Sequence, residues 1–284
     1  MDYIKIEQSG ENIVVTGAGN FCLDDILQSG QCFRWEKLKD GAWHGIVSKY
    51  ARTLRQDGTT LIFYGVSQDE FDQVWYRYFD FGRDYGMVKE KLSKDDVMRR
   101  AISYTPGMRV LNQEPWEALC SFILSQNNHI KRICGLVLRL CENFGEKIDG
   151  GFAFPGPETL AKLTELDLAP VKSGFRAKYV LDAARKIASK EISLESIGGM
   201  TLQDADAHLQ TISGVGPKVS ACALLYGFGR AECVPRDVWI NRVMERFYPD
   251  GIPAGIEDVA GLGQQYLFHT IRNSAEMLEL SAKK

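Results

Sequence analysis

Two residues in this sequence occupy positions from which side-chain chemistry can start. Lys218 follows Ile212-Ser213-Gly214-Val215-Gly216-Pro217, and Asp237 follows Cys233-Val234-Pro235-Arg236, 19 residues further on. Proline is favoured at the first helical position, so Lys218 falls in the first turn of a helix. The helix dipole there, together with any burial, pushes an amine toward its uncharged form. An uncharged amine is a nucleophile, and the carbon it attacks is left as an imine. Asp237 also stands at a helix start. A carboxylate held there can steady positive charge on a reacting carbon, and it can equally cap its helix; the two roles do not compete. The plainer reading of Lys218 is an ion pair with a phosphate.

The segment around Lys218 has a form of its own. A helix closes on Leu209 and Ile212, Gly214-Val215-Gly216 makes a turn that residues with a Cβ could scarcely adopt, and Pro217 opens the next helix. The unpaired N–H groups of a helix start suit a phosphate oxygen. The pattern, at about residues 204–227, is that of a helix-hairpin-helix, which grips a DNA backbone without reading bases. A bare Gly-x-Gly would more simply be a tight helix–helix turn. The added proline and flanking apolar positions favour the clamp.

With Val234-Pro235-Arg236-Asp237-Val238-Trp239 behind it, the hairpin resembles that of the helix-hairpin-helix DNA glycosylase superfamily. Ser29-Gly30-Gln31-Cys32-Phe33-Arg34-Trp35, Ser125-Gln126-Asn127-Asn128-His129-Ile130, Gly174-Phe175-Arg176-Ala177-Lys178-Tyr179 and Ala260-Gly261-Leu262-Gly263-Gln264 through Phe268 are similar to its 8-oxoguanine DNA glycosylase/AP lyase branch. The likeness runs from about residue 23 to residue 270.

That resemblance implies a bifunctional enzyme that excises 8-oxoguanine from duplex DNA, preferably opposite cytosine. Lys218 would attack C1′ of a flipped nucleotide, form a Schiff base and permit β-elimination, with Asp237 steadying the sugar's positive charge. The carbonyl of Gly30 would accept from N7–H, which the lesion has and guanine lacks. Cys222 and Phe268 would sandwich the base, and Gln264 would bond its pairing edge. Asn127 would fill the vacated stack. Arg132 and Arg176, as donors only, would prefer the two acceptors of cytosine, with Phe175 wedged beside it. Gly214, Gly216, Val219, His129 and Trp239 would meet phosphates. Without the resemblance, Phe268 and Cys222 would be read as core, Gly30 as a turn and the arginines as a solvated face. A hydrolytic glycosylase for alkylated bases and a non-catalytic DNA-binding module are the competing readings.

Two departures stand out. Trp239 occupies the place where eukaryotic members of the family carry histidine, and the asparagine run ends in His129. No cysteine follows Cys233, so the iron–sulfur loop of related branches is missing and no cofactor is expected. Hairpin carbonyls near Ile212 and Val215 leave room for a monovalent cation, which the sequence does not decide.

The elements that must position these residues divide in two. Short aromatic and β-branched runs (Ile4–Ile6, Ile13–Val15, Cys32–Trp35, Trp43–Val47 and Leu61–Tyr64) predict an antiparallel sheet. Helical periodicity takes over from Asp69 and dominates after Tyr104-Thr105-Pro106-Gly107. The fold class is therefore α+β. Residues 1–105 form a sheet domain with linking helices, and 106–284 a two-lobed helical domain whose last helices pack back toward the first.

Bulk properties set few limits. A net charge of −3 does not advertise a nucleic-acid partner, yet Lys172, Arg176, Lys178, Arg185, Lys186 and Lys190 face only Asp182 in their stretch. Seven scattered cysteines and four histidines fit reduced thiols better than disulfides or a metal site. Neither a secretory signal nor a membrane-spanning run is evident, so the expectation is a monomer in the cytoplasm, associated with the nucleoid in a prokaryote.

Overall fold

A computed structural model describes residues 1–279. Positions 280–284, which the sequence assigns to the helical part, lie outside the described residues.

Six strands make one antiparallel sheet: β1 (Lys5–Ser9), β2 (Asn12–Thr16), β3 (Trp35–Lys37), β4 (Trp43–Val47), β5 (Tyr50–Asp57) and β6 (Thr60–Tyr64), in the order β1-β2-β6-β5-β4-β3. Period-two alternation places Ile13, Val15, Trp43, Val47, Leu54, Leu61 and Phe63 on one buried face, where they meet Phe71, Trp75, Phe79 and Phe81. The sequence misses β5, the longest strand. Only Leu54 is buried along it, and from Arg52 on its other residues are Arg, Thr, Gln and Asp. The Cys32–Trp35 run is strand only from Trp35; Cys32 and Phe33 are buried in a bend. The short helix Leu23–Leu27 was also not foreseen.

Within the helical region expected from Asp69 onward, residues 85–104 form two helices, Tyr85–Leu92 and Asp96–Tyr104. Asp95 breaks them, because its carboxylate caps the second by accepting from the N–H groups of Val97 and Met98 at 3.0 and 2.8 Å. Helices follow at Pro115–Ser125, Ile130–Phe144, Ala177–Ala188, Leu202–Leu209, Pro217–Phe228, Val238–Phe247 and Ala260–Asn273, around a second apolar core.

The two cores are tied through buried polar groups. Gln31, fully buried, donates to the carbonyl of Arg109 at 2.8 Å and accepts from the N–H of Leu111 at 2.7 Å. The Arg109 guanidinium is 1% exposed, lies 4.4 Å from the centre of the Tyr85 ring, and donates to the Asp2 carboxylate at 2.6 Å. Asp2 also accepts from the N–H groups of Tyr85 and Gly86. Removing one partner of a buried ion pair leaves the other charge uncompensated. Asp2→Ala is therefore expected to lower the unfolding free energy by about 3–5 kcal/mol. Glu7→Ala, at an exposed pair with Lys5, should move it by less than about 1 kcal/mol. Urea titration of both variants measures the contrast, and equal losses would contradict it.

Candidate active site

The hairpin forms as its glycines require, though not symmetrically. Gly214 has φ +77°, and a Cβ there would sit 2.3 Å from the Tyr179 ring. Gly216 is extended (φ −100°, ψ −177°), a conformation open to any residue, so the sequence overstated its backbone need. A Cβ on Gly216 would meet nothing within 4 Å, which leaves the helix start open to an incoming group. Gly216 takes the N-cap position and Pro217 follows at the first helical position. The hairpin rests on the Ala177–Ala188 helix, where Asp182 accepts from the Ser213 N–H at 2.7 Å. The Ile212 carbonyl, one of those considered for a cation, accepts from the Val215 N–H at 3.0 Å.

From that start the Pro217–Phe228 helix carries Lys218, Cys222 and Tyr226 on one stripe, four residues apart. It packs on the Pro115–Ser125 helix. That contact gives Lys218 its setting: Nζ is 3.3 Å from Ser125 Oγ and 5.2 Å from the centre of the Phe122 ring. Lys218 is half-buried, whereas Val219 is buried in the core. Burial pushes the Cys222 thiol up, and Lys218 one turn earlier pulls it back.

Asp237 caps the Val238–Phe247 helix, with Oδ1 accepting from the N–H groups of Trp239 and Ile240 at 3.0 and 2.9 Å. The plain reading of this residue is therefore realised, and it does not exclude the other. The half-buried carboxylate acts electrostatically on Cys222, Tyr226 and Arg272, which places it on the Lys218 side of the site. Trp239 is half-buried beneath Arg242, whose guanidinium carbon lies 5.0 Å from the indole centre.

The third wall is the Ala260–Asn273 helix. Gln265 is fully buried. It accepts from Tyr226 Oη at 2.5 Å and donates to the Ser29 carbonyl at 3.3 Å, linking the Lys218 helix to the Gly30 loop. Gln264 is 4% exposed and its Oε1 has no partner; Phe268 is half-buried one turn on. Gly30 has φ +82°, and a Cβ there would lie 2.4 Å from Ile130 Cδ1. Gly30→Ala is thus expected to cost about 1–3 kcal/mol in stability by displacing this loop. Thermal melts check this, and an unchanged melting temperature would show that the backbone there is not constrained.

The second group of expected residues lies beside the hairpin. Asn127 is exposed in the left-handed region (φ +51°), Phe175 is 52% exposed, and Arg132 is exposed. His129 is exposed and caps the Ile130–Phe144 helix, with Nδ1 accepting from the Arg132 N–H at 3.3 Å, so only its Nε2 is left for another group. Arg176 differs from the solvated residue that the bare sequence suggests. It is 4% exposed, stacks 4.2 Å from the Phe175 ring centre, and donates to the carbonyls of Gln126, Asn127 and Ser173. It therefore braces the Asn127 loop, and few of its N–H groups remain for an unpaired base. Burial and the neighbouring charge of Arg132 lower its hold on its proton.

The residues that sequence reasoning missed are Phe122, Ser125, Tyr226, Gln265 and Arg272. Ser125, Tyr226 and Gln265 fall inside segments already singled out, but no pattern there marks these side chains, and Phe122 and Arg272 lie outside them; all act through packing between distant segments. Among the described residues no group of three His, Cys, Asp or Glu is placed to hold a metal ion, and no helix is long and apolar enough to cross a membrane.

Known proteins share this arrangement. Residues 13–119 match the 8-oxoguanine DNA glycosylase N-terminal domain, and 120–252 match the HhH-GPD superfamily of base excision DNA repair proteins. The N-glycosylase/DNA lyase of Saccharomyces cerevisiae is 34% identical over 256 residues, covering 80% of this chain and 68% of the relative. The Clostridium acetobutylicum 8-oxoguanine glycosylase/lyase, solved with double-stranded DNA containing cytosine opposite 8-oxoG, superposes with a TM-score of 0.91 at 34% identity. That match covers 97% of this chain and 100% of the neighbour. The protein MBOgg1, in complex with a low-affinity DNA ligand, superposes at 0.90 with 39% identity over the same shares. A six-stranded antiparallel sheet leading into a helical lobe that carries the hairpin, matched by two solved structures over 97% of its length, places the chain: it belongs to the 8-oxoguanine DNA glycosylase branch of the HhH-GPD base excision repair superfamily.

Proposed function

We propose that the protein is a bifunctional DNA glycosylase/AP lyase that removes 8-oxoguanine from duplex DNA, preferentially opposite cytosine. The observation that supports this reading is Lys218, set against Ser125 and Phe122, on the same helix stripe as Cys222, with the charges of Lys218 and Asp237 both acting on that thiol. The amine of Lys218 attacks C1′ of the flipped nucleotide, and the C1′–N9 electron pair leaves with the base. The proton shed by the amine ends on that base. The C1′–O4′ bond then opens as the nitrogen lone pair forms the protonated imine, and O4′ takes up a proton from water. The imine acidifies C2′, whose proton is lost as the 3′ C–O bond breaks and the phosphate leaves by β-elimination. Asp237, fixed by its helix, steadies the charge on the sugar. The base lies between Cys222 and Phe268, with Gln264 on its pairing edge and the Gly30 carbonyl toward N7–H.

Asn127 and Phe175 fill the gap beside the estranged cytosine. Arg132 reads its acceptors, joined by Arg176 as far as its bonds to the loop permit. Gly214, Gly216 and Val219 offer backbone N–H groups to phosphates, with His129 and Trp239 alongside. The protein works as a monomer in the cytoplasm, associated with the nucleoid in a prokaryote, and needs no iron–sulfur cluster.

Single-turnover reactions with borohydride, on duplexes with 8-oxoguanine opposite each of the four bases, test this. The expected result is a covalent protein–DNA adduct formed fastest opposite cytosine, by about tenfold or more. Release of 3-methyladenine without strand cleavage, or free 8-oxoguanine without an adduct, would overturn it.

A further inference from the structure

Arg272 lies one turn beyond Phe268 and two beyond Gln264, so the three share a face of the Ala260–Asn273 helix. Its Nη2 donates to the Gln28 carbonyl at 3.3 Å, and its guanidinium carbon lies 5.4 Å from the Phe268 ring centre. Nη1 is buried and has no partner. That atom would be 3.0 Å from a Cβ built on Gly30, so it adjoins the loop that faces the base. Burial lowers the guanidinium's hold on its proton, and the charge of Asp237 partly offsets that. Leaving a buried cationic N–H unpaired is costly, and a donor kept in that state beside a binding slot is matched to an acceptor that arrives with the ligand.

The reaction proposed above, on which this inference rests, brings one. If the Gly30 carbonyl meets N7–H, the next ring atom is C8, and its oxygen is the atom that oxidation adds to guanine. We propose that Arg272 Nη1 donates to the C8 oxygen of the flipped lesion and is a second lesion-reading residue beside Gly30. The carbonyl tests for the N7 proton, and the guanidinium tests for the oxygen. Guanine carries only C8–H, so its entry would leave Nη1 buried and unpaired. The same contact helps departure. As the C1′–N9 bond breaks, part of the electron pair that leaves with the base rests on the C8 oxygen, beside a cation.

Two variants separate this role from its alternatives. Arg272→Met keeps the chain that covers Phe268 and removes every donor; Arg272→Gln keeps a shorter donor. Each is assayed in single turnover for release of 8-oxoguanine and for cleavage at a preformed abasic site, where no base is present. Arg272→Met should slow 8-oxoguanine release about 30-fold. Arg272→Gln should recover part of that loss, and both should cleave the abasic site within about twofold of wild type. Release by Arg272→Met at the wild-type rate would overturn the assignment. So would a parallel fall in abasic-site cleavage, which would make Arg272 a phosphate contact or a structural brace. Absence of 8-oxoguanine release by the wild type would instead sink the proposed function itself.

Discussion

Replacing Lys218 with glutamine is expected to abolish borohydride trapping and to slow base release and strand cleavage by about 10³-fold or more. Glutamine is nearly as long, and its amide can still donate to Ser125 Oγ, the contact that Nζ makes at 3.3 Å. The packing of the Pro217–Phe228 helix against the Pro115–Ser125 helix should therefore survive. What disappears is the only part of the side chain that can become an imine. Lys218→Arg sharpens the test, because arginine keeps a charge able to pair with a phosphate yet does not lose its proton. If Lys218 were a phosphate contact, arginine would restore activity. It should instead be as inactive as glutamine while binding lesion DNA within a few-fold of wild type. Mobility-shift titrations beside the cleavage assay show which holds.

Asp237→Asn is expected to give the second largest effect, a fall of about 10²–10³-fold in excision with little change in stability. The reason lies in the double duty of the residue. Oδ1 caps the Val238–Phe247 helix, and asparagine caps about as well as aspartate. The substitution therefore removes the charge and spares the cap, so the melting temperature should stay within about 2 °C. Asp237→Ala removes both and should cost about 1 kcal/mol more in stability. An asparagine variant as active as wild type would mean that Asp237 serves the helix alone.

These residues could be read from the sequence because local backbone chemistry announces them. Gly214, Pro217 and the aspartate at a helix start are punctuation whose meaning needs no tertiary context. The sheet was readable where apolar residues alternate, as in Asn12–Thr16 and Thr60–Tyr64, each with two fully or nearly fully buried side chains. It was not readable in Tyr50–Asp57, a central strand whose exposed face is polar and whose pairing with its neighbours supplies what its own pattern lacks.

The polar contacts that went unseen share one property: partners far apart in sequence that the fold buries together. Gln265 reaches Ser29 across 236 positions, and Gln31 fixes the Gly30 loop through residues near Arg109. Arg176 looked like a solvated cation because its acceptors are backbone carbonyls, which no residue type reveals. Arg272 bears no motif at all. Its interest comes from one nitrogen that the fold buries without a partner.

The most direct test of the central claim is to reduce the reaction intermediate with borohydride, digest the adduct and locate the modified residue by mass spectrometry. The account predicts that the sugar remnant is attached to Lys218. Attachment to another lysine or to the N-terminal amine, with Lys218 unmodified, would contradict it.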